Sequence, residues 1–225
     1  MKGEGINEGN ANQIYLIPTP ISDNFFKPPI EIFKKFKTLY VENLRTARRF
    51  ISSLGLKVSD YEFIEIPKKP NKSFLEELVF PSAILSEAGA PGVADPGNLI
   101  VRVAHQKGAT VIPIIGPSSI ILALMASGLD GQNFHFHGYL PINNLSGELK
   151  KLEKFPYTHL FIETPYRNQK TFETCLKALS PTTLLLVASD ITGSNEFIRT
   201  KSIQEWRKEN LLLPKLPCIF GFLKN

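Results

Sequence analysis

The chain has 225 residues, 43% hydrophobic and 21% charged, with a formal net charge of +5. That is enough material for one large domain or two modest ones with a real core, and the positive balance favours a polyanionic partner without choosing between nucleic acid and acidic small molecules. Two well-separated cysteines, Cys175 and Cys218, exclude a disulfide framework or a cysteine-rich zinc site. No apolar run approaches the ~20 residues of a membrane-spanning helix, and the polar start MKGEGINEGNANQ lacks the apolar core of a secretion signal. The expectation is a cytoplasmic protein without membrane contact, beginning with a disordered tail over 1–13.

Short apolar runs then alternate with amphipathic segments. IYLIP (14–18), TLYVE (38–42), YEFIEI (61–66), AILS (83–86) and TVIPII (110–115) read as strands. IEIFKKF, NLRTARRFISSLG, KSFLEELV and GNLIVRVAHQKG between them read as helices, with Gly55 and Gly108 where a helix end favours a left-handed residue. This alternation predicts an α/β unit with a mainly parallel sheet and helices on both faces.

IIGPSS (114–119) reads as the hinge between two α/β domains of similar size, 14–115 and 116–225. SSIILALMAS is apolar all round, which predicts a helix capped by Ser118 or Ser119, ended by Gly128 and buried on every side at a domain interface. FHFHGYL, THLFIE, TLLLVAS, NEFIRTKS and PCIFGFL follow as strands, with SGELKKLEKF, YRNQKTFETCLKAL and SIQEWRKEN as helices. The strands after 183 leave little room for crossover helices, so antiparallel pairing and a mixed second sheet are expected.

GAPGVADPG, between the strand at 83–86 and the next helix, holds more turn chemistry than a surface turn needs. Gly89, Gly92 and Gly97 let the backbone approach a ligand and expose its N–H groups. Pro91 and Pro96 set the loop's shape, and Asp95 places a charge in it. The loop leaves the sheet at its carboxyl edge, where doubly wound proteins bind ligands. From the residues alone, a ligand loop and an ornate helix cap with Asp95 near the helix N-terminus carry equal weight. The dinucleotide, P-loop and nucleophile-elbow patterns are absent. His135 and His137 alternate on a strand with no acidic or cysteine partner at ligand spacing, so they read as partly buried histidines and no metal site is predicted.

SEAGAPGVADPG, followed by IIGPSSIILALMASGL, resembles the tetrapyrrole methylase family, the class III S-adenosylmethionine-dependent methyltransferases. Within that family the likeness is to the bacterial enzymes that 2'-O-methylate the ribose of a cytidine in small-subunit ribosomal RNA. PTPISDN, VENLR, GYLP and ETPYR also match its motifs, in order, from about residue 14 to the C-terminus. Three positions depart from the pattern: Glu87 and Asn43 stand for aspartates, and Leu44 for a threonine.

The resemblance implies two α/β domains with a ligand cleft between them, a homodimer, and S-adenosylmethionine as cofactor. Carried over by motif, Ala90, Val93 and Asp95 face the donor, and Ser118 and Ser119 follow the hinge. Ile162, Glu163 and Thr164 border the cleft, and Ala188, Leu216 and Pro217 complete the adenine pocket. The implied partner is ribosomal RNA or the small ribosomal subunit. Arg45, Arg48 and Arg49 share one helix face; Arg45, Arg48 and Arg167 are the candidates for holding acceptor phosphates, against an ordinary solvated basic face. Glu42, Glu87 and Glu163 are candidates for taking the acceptor's proton, none of them singled out. Three readings stay open: a ribosomal RNA 2'-O-methyltransferase, a C-methyltransferase of tetrapyrrole precursors, and a non-catalytic S-adenosylmethionine-binding protein.

Overall fold

The computed structural model describes residues 12–22 and 26–225. Residues 1–11 of the expected tail lie outside the described residues, and Gln13 already opens the first strand. The chain divides into two compact units, the first built from 12–20 and 26–117 of the described residues and the second from 21–22 and 118–225.

The first unit has five strands, β1 (Gln13–Ile17), β2 (Thr38–Val41), β3 (Glu62–Glu65), β4 (Ser82–Leu85) and β5 (Thr110–Pro113), in the order β3-β2-β4-β1-β5 with every pairing parallel. All four residues of β2 and of β4 are buried, as central strands of a parallel sheet require. Alternation along β2 sorts the core. Leu39 and Val41 pack with Ala47 and Ile51 of α1 (Leu44–Ser53), while Tyr40 packs with Ile100 and Ala104 on the face that carries α3 (Gly97–Gln106). Helices therefore lie on both faces.

Two expected helices are shorter than the pattern predicts. IEIFKKF forms a single 3-10 turn over Ile30–Lys34, because burial of Phe33 and Phe36 against Tyr15 and Tyr61 decides its path rather than a helical face. KSFLEELV yields only α2 (Lys72–Glu76), capped by Asn71 and ending well before Pro81.

The second unit holds β6 (Phe134–Tyr139), β7 (Thr158–Glu163), β8 (Leu184–Ser189), β9 (Phe197–Ser202) and β10 (Cys218–Leu223), in the order β6-β7-β10-β8-β9. β6 and β7 are parallel and the other pairings antiparallel, so this sheet is mixed. One face packs α5 (Leu145–Leu152), α6 (Asn168–Ala178) and α7 (Ile203–Trp206) through Leu149, Phe172 and Trp206 against Phe161, Val187 and Phe220. The other face packs α4 (Ser119–Ser127) through Ile120, Ala123 and Leu124 against Leu160, Leu186, Ala188 and Ile219.

α4 departs from its expected burial on every side: Ile121 is 45% exposed and Met125 74% exposed. The sheet of the second unit packs one side of the helix, and these two residues lie outside that cluster. Ser118 occupies the N-cap position, but its hydroxyl makes no capping hydrogen bond, whereas Gly128 ends the helix at φ +70° as expected.

Candidate functional site

Because every strand of the first sheet is parallel, all its carboxyl ends lie along one edge. Val41 pairs with both Glu65 and Leu85, so the segments after β2, β3 and β4 leave the sheet at one level. Asn43 caps α1 there, its side chain accepting from the N–H groups of Arg45 at 2.9 Å and Thr46 at 3.2 Å. Glu42 accepts from the Glu87 N–H at 3.1 Å, and Thr46 donates its hydroxyl to Glu87 at 3.3 Å. Two sequence candidates 45 residues apart, Glu42 and Glu87, are thus brought together. Burial first, then the charges of Asp95 and Glu87, raise the Glu42 carboxyl above its ordinary range against the lowering effect of the Glu87 N–H.

The loop after β4 is held by its own polar groups. Asp95 accepts from Gly92 N–H at 2.9 and 2.8 Å and from Gly97 N–H at 2.7 Å. Gly92 sits at φ +82°, where a side chain would be strained. Burial raises the Asp95 carboxyl, while these two amide bonds oppose the rise. Asp95 also lines a surface cavity of about 500 Å³ together with Lys68, Lys69, Gly92, Ala94 and Asn98. Ala90 and Val93 do not line it; Val93 is 47% exposed. The hinge glycine is tightly set as well: a Cβ on Gly116 would lie 2.5 Å from the Pro18 Cβ.

In the second unit, Ile219 pairs with Ile162 on one side and Ala188 on the other, and Cys218 likewise pairs with Glu163 and Ser189. Ile162 to Thr164, Ala188, and Leu216-Pro217 before β10 are therefore grouped at one edge of that sheet. The Ala188 side chain is fully buried against the α4 layer, which leaves only its backbone for a ligand. Glu163 is 6% exposed and accepts from the Thr164 N–H at 2.7 Å and the Thr171 hydroxyl at 2.8 Å, with Arg167 paired at 3.0 Å. Its carboxylate is committed to holding the start of α6.

Sequence reasoning missed Asn168 and Gln169. Asn168 is buried and donates to Leu216 O at 2.5 Å and Pro214 O at 3.3 Å. Gln169 accepts from Leu213 N–H at 3.0 Å. Together they tie the segment before β10 to α6. Their one signal in the sequence is a pair of amides directly after the ETPYR motif.

Among the arginines, Arg45, Arg48 and Arg49 are all exposed on α1, and the Arg48 guanidinium lies 5.6 Å from the Phe63 ring centre. His137 finds an unforeseen partner in buried His159, with Nε2 and Nδ1 2.9 Å apart. Burial pushes His159 down to about 4 and lowers His137 too. Both cysteine thiols are buried and raised by that burial, which makes them poor nucleophiles.

No family model matches the chain. It is 26% identical over 199 residues to the ribosomal RNA small subunit methyltransferase I of Vibrio cholerae, covering 85% of this chain and 69% of that protein. The protein of the same name from Escherichia coli O157:H7 is 26% identical over 220 residues, covering 93% and 77%. That of Buchnera aphidicola from Acyrthosiphon pisum is 28% identical over 221 residues, covering 91% and 76%. Among solved structures, the fold matches uroporphyrin-III C-methyltransferase from Thermus thermophilus at a TM-score of 0.52 and 15% identity, covering 95% of this chain and 94% of that one. The chain is thus similar in sequence along most of its length to proteins of that name, and it shares its fold with the uroporphyrin-III C-methyltransferase.

Proposed function

We propose that the protein is an S-adenosylmethionine-dependent methyltransferase that methylates a ribose 2'-hydroxyl in small-subunit ribosomal RNA. The observation that carries this reading is the likeness along about nine-tenths of the chain to proteins named for that RNA. The donor is assigned to Ala90, Val93, Asp95, Ser118, Ser119, Ile162, Thr164, Leu216, Pro217 and the backbone of Ala188. These residues suit it chemically. The carboxylates Glu87 and Asp95 at the edge of the first sheet favour a sulfonium and an ammonium, and the half-buried Leu216 and exposed Pro217 favour a flat apolar ring.

Bound S-adenosylmethionine supplies an electrophilic methyl group, so the chain's main task is alignment of the acceptor oxygen. As that oxygen forms its bond to the methyl carbon and the carbon–sulfur bond breaks, the hydroxyl proton passes to a carboxylate. Glu42 suits that role: it is half-buried, raised toward the working pH, and anchored through the Glu87 N–H. Glu163 does not, because its oxygens are already bonded. Arg45 and Arg167 remain assigned to acceptor phosphates. A homodimer belongs to the same reading, supported by the exposed apolar face that Ile121 and Met125 give α4.

The test is transfer of labelled methyl to small ribosomal subunits from a strain lacking the gene. Label mapped to a ribose 2'-oxygen is the expected result. Donor binding by calorimetry without label in the RNA overturns the reading and points to a tetrapyrrole acceptor or a binding role.

A further inference from the structure

We propose that Lys68 and Lys69, with the cavity beside them, form a subsite for the phosphate backbone of the RNA acceptor; the proposal rests on the methyltransferase reading above. Both lysines lie in Pro67-Lys68-Lys69-Pro70, just beyond β3. β3 is an edge strand parallel to β2, and Glu65 is level with Val41 and, through it, with Leu85. The lysine segment therefore leaves the sheet at the same edge as Arg45 and the loop at 86–97, next in line to the Glu42–Glu87 pair.

The local chemistry favours an anion. Lys68 and Lys69 are exposed, and neither has an acidic partner among the described residues. Lys72, in the following turn, is by contrast paired with Glu76 at 3.6 Å. Prolines on both sides restrict the backbone that carries the two ammonium groups, which lowers the entropy lost on binding. The cavity of about 500 Å³ has room for a nucleotide-sized group. Its one lining carboxylate, Asp95, is turned onto the amides of Gly92 and Gly97, whose dipoles offset its charge. Of the donor-assigned residues of the first unit, Ala90 and Val93 lie outside this cavity and Asp95 lines it; Asp95 is held on the Gly92 and Gly97 amides, which leaves the two ammonium groups for the acceptor. Lysine meets phosphate as a point charge, so the subsite holds backbone and reads no base.

The test compares wild type, Lys68→Ala/Lys69→Ala, and a control, Lys150→Ala/Lys154→Ala, which removes the same charge from exposed positions in the second unit. Binding of a single-stranded oligoribonucleotide is measured across a salt series, with donor affinity followed by calorimetry. The expected result is an unchanged donor affinity, weaker RNA binding, and a salt slope shallower by about 1.4 in the test variant, two contacts at roughly 0.7 each. The control keeps the wild-type slope. Equal slopes for the test variant and wild type overturn the subsite while leaving the methyltransferase reading intact. Wild-type protein that binds donor but neither the oligoribonucleotide nor small ribosomal subunits overturns both.

Discussion

Thr19 and Gly89 exchange two backbone hydrogen bonds, Thr19 N–H to Gly89 O at 3.0 Å and Gly89 N–H to Thr19 O at 3.1 Å. The turn after β1 is thereby tied to the loop after β4. The Thr19 hydroxyl reaches Ser86 O at 3.2 Å, and the Ser86 hydroxyl reaches Gly89 O at 2.5 Å. The turns of the glycine-rich run lock the loop onto its neighbour and onto Asp95.

Thr19→Val removes the hydroxyl's buried bond and is expected to cost about 1 kcal/mol. Gly89→Ala is expected to cost about 1–2 kcal/mol, because Gly89 sits at φ +77°. Urea unfolding measures both losses. Donor affinity falls with them if the locked loop is the donor's.

Asn168 holds Leu216, a residue the proposed function assigns to the donor. Asn168→Ala removes its bonds to Leu216 O and Pro214 O and is expected to raise the donor's Kd while RNA binding stays at the wild-type level. Asn168→Asp, which cannot donate the same bonds when ionised, should behave like Asn168→Ala. Calorimetry with each ligand separates this from general unfolding, which would weaken both.

His159 predicts an acid-sensitive second unit. It is stacked on Phe222 at 4.7 Å between ring centres, and its folded pKa is pushed from 6.5 down to about 4, first by burial and then by His137. The unfolded chain therefore takes up a proton before the folded one does. The stability that neutral His159 confers is complete above pH 6.5 and lost as the pH falls toward about 4, at up to about 1.4 kcal/mol per pH unit. His159→Phe keeps the stack and removes the titration. Urea unfolding at a series of pH values should give this variant the shallower dependence in that window.

Glu42 and Glu163 should separate cleanly when made neutral. Glu42→Gln is expected to lower kcat by about 10²-fold or more with donor affinity retained. Glu163→Gln should instead weaken the ties to Arg167 and Thr171 and cost about 1–3 kcal/mol of stability. Single-turnover methyl transfer and urea unfolding, run on both variants, check the division.

Much of the architecture was legible in local patterns. Short apolar runs located the ten strands of the described residues, and the close spacing after 183 announced the antiparallel part of the second sheet. Those signals are local because a buried strand carries its apolar residues within its own few positions. The tertiary structure decided what spacing cannot encode. It placed Glu87 on Glu42 across 45 residues and His137 on His159 across 22, and it hung the strap before β10 on Asn168. It also left Ile121 and Met125 of α4 outside the core of the second sheet and turned IEIFKKF into a 3-10 turn around Phe33. Strand order and packing set these relationships, since a side chain's partner depends on which elements become neighbours and no short window of sequence contains both.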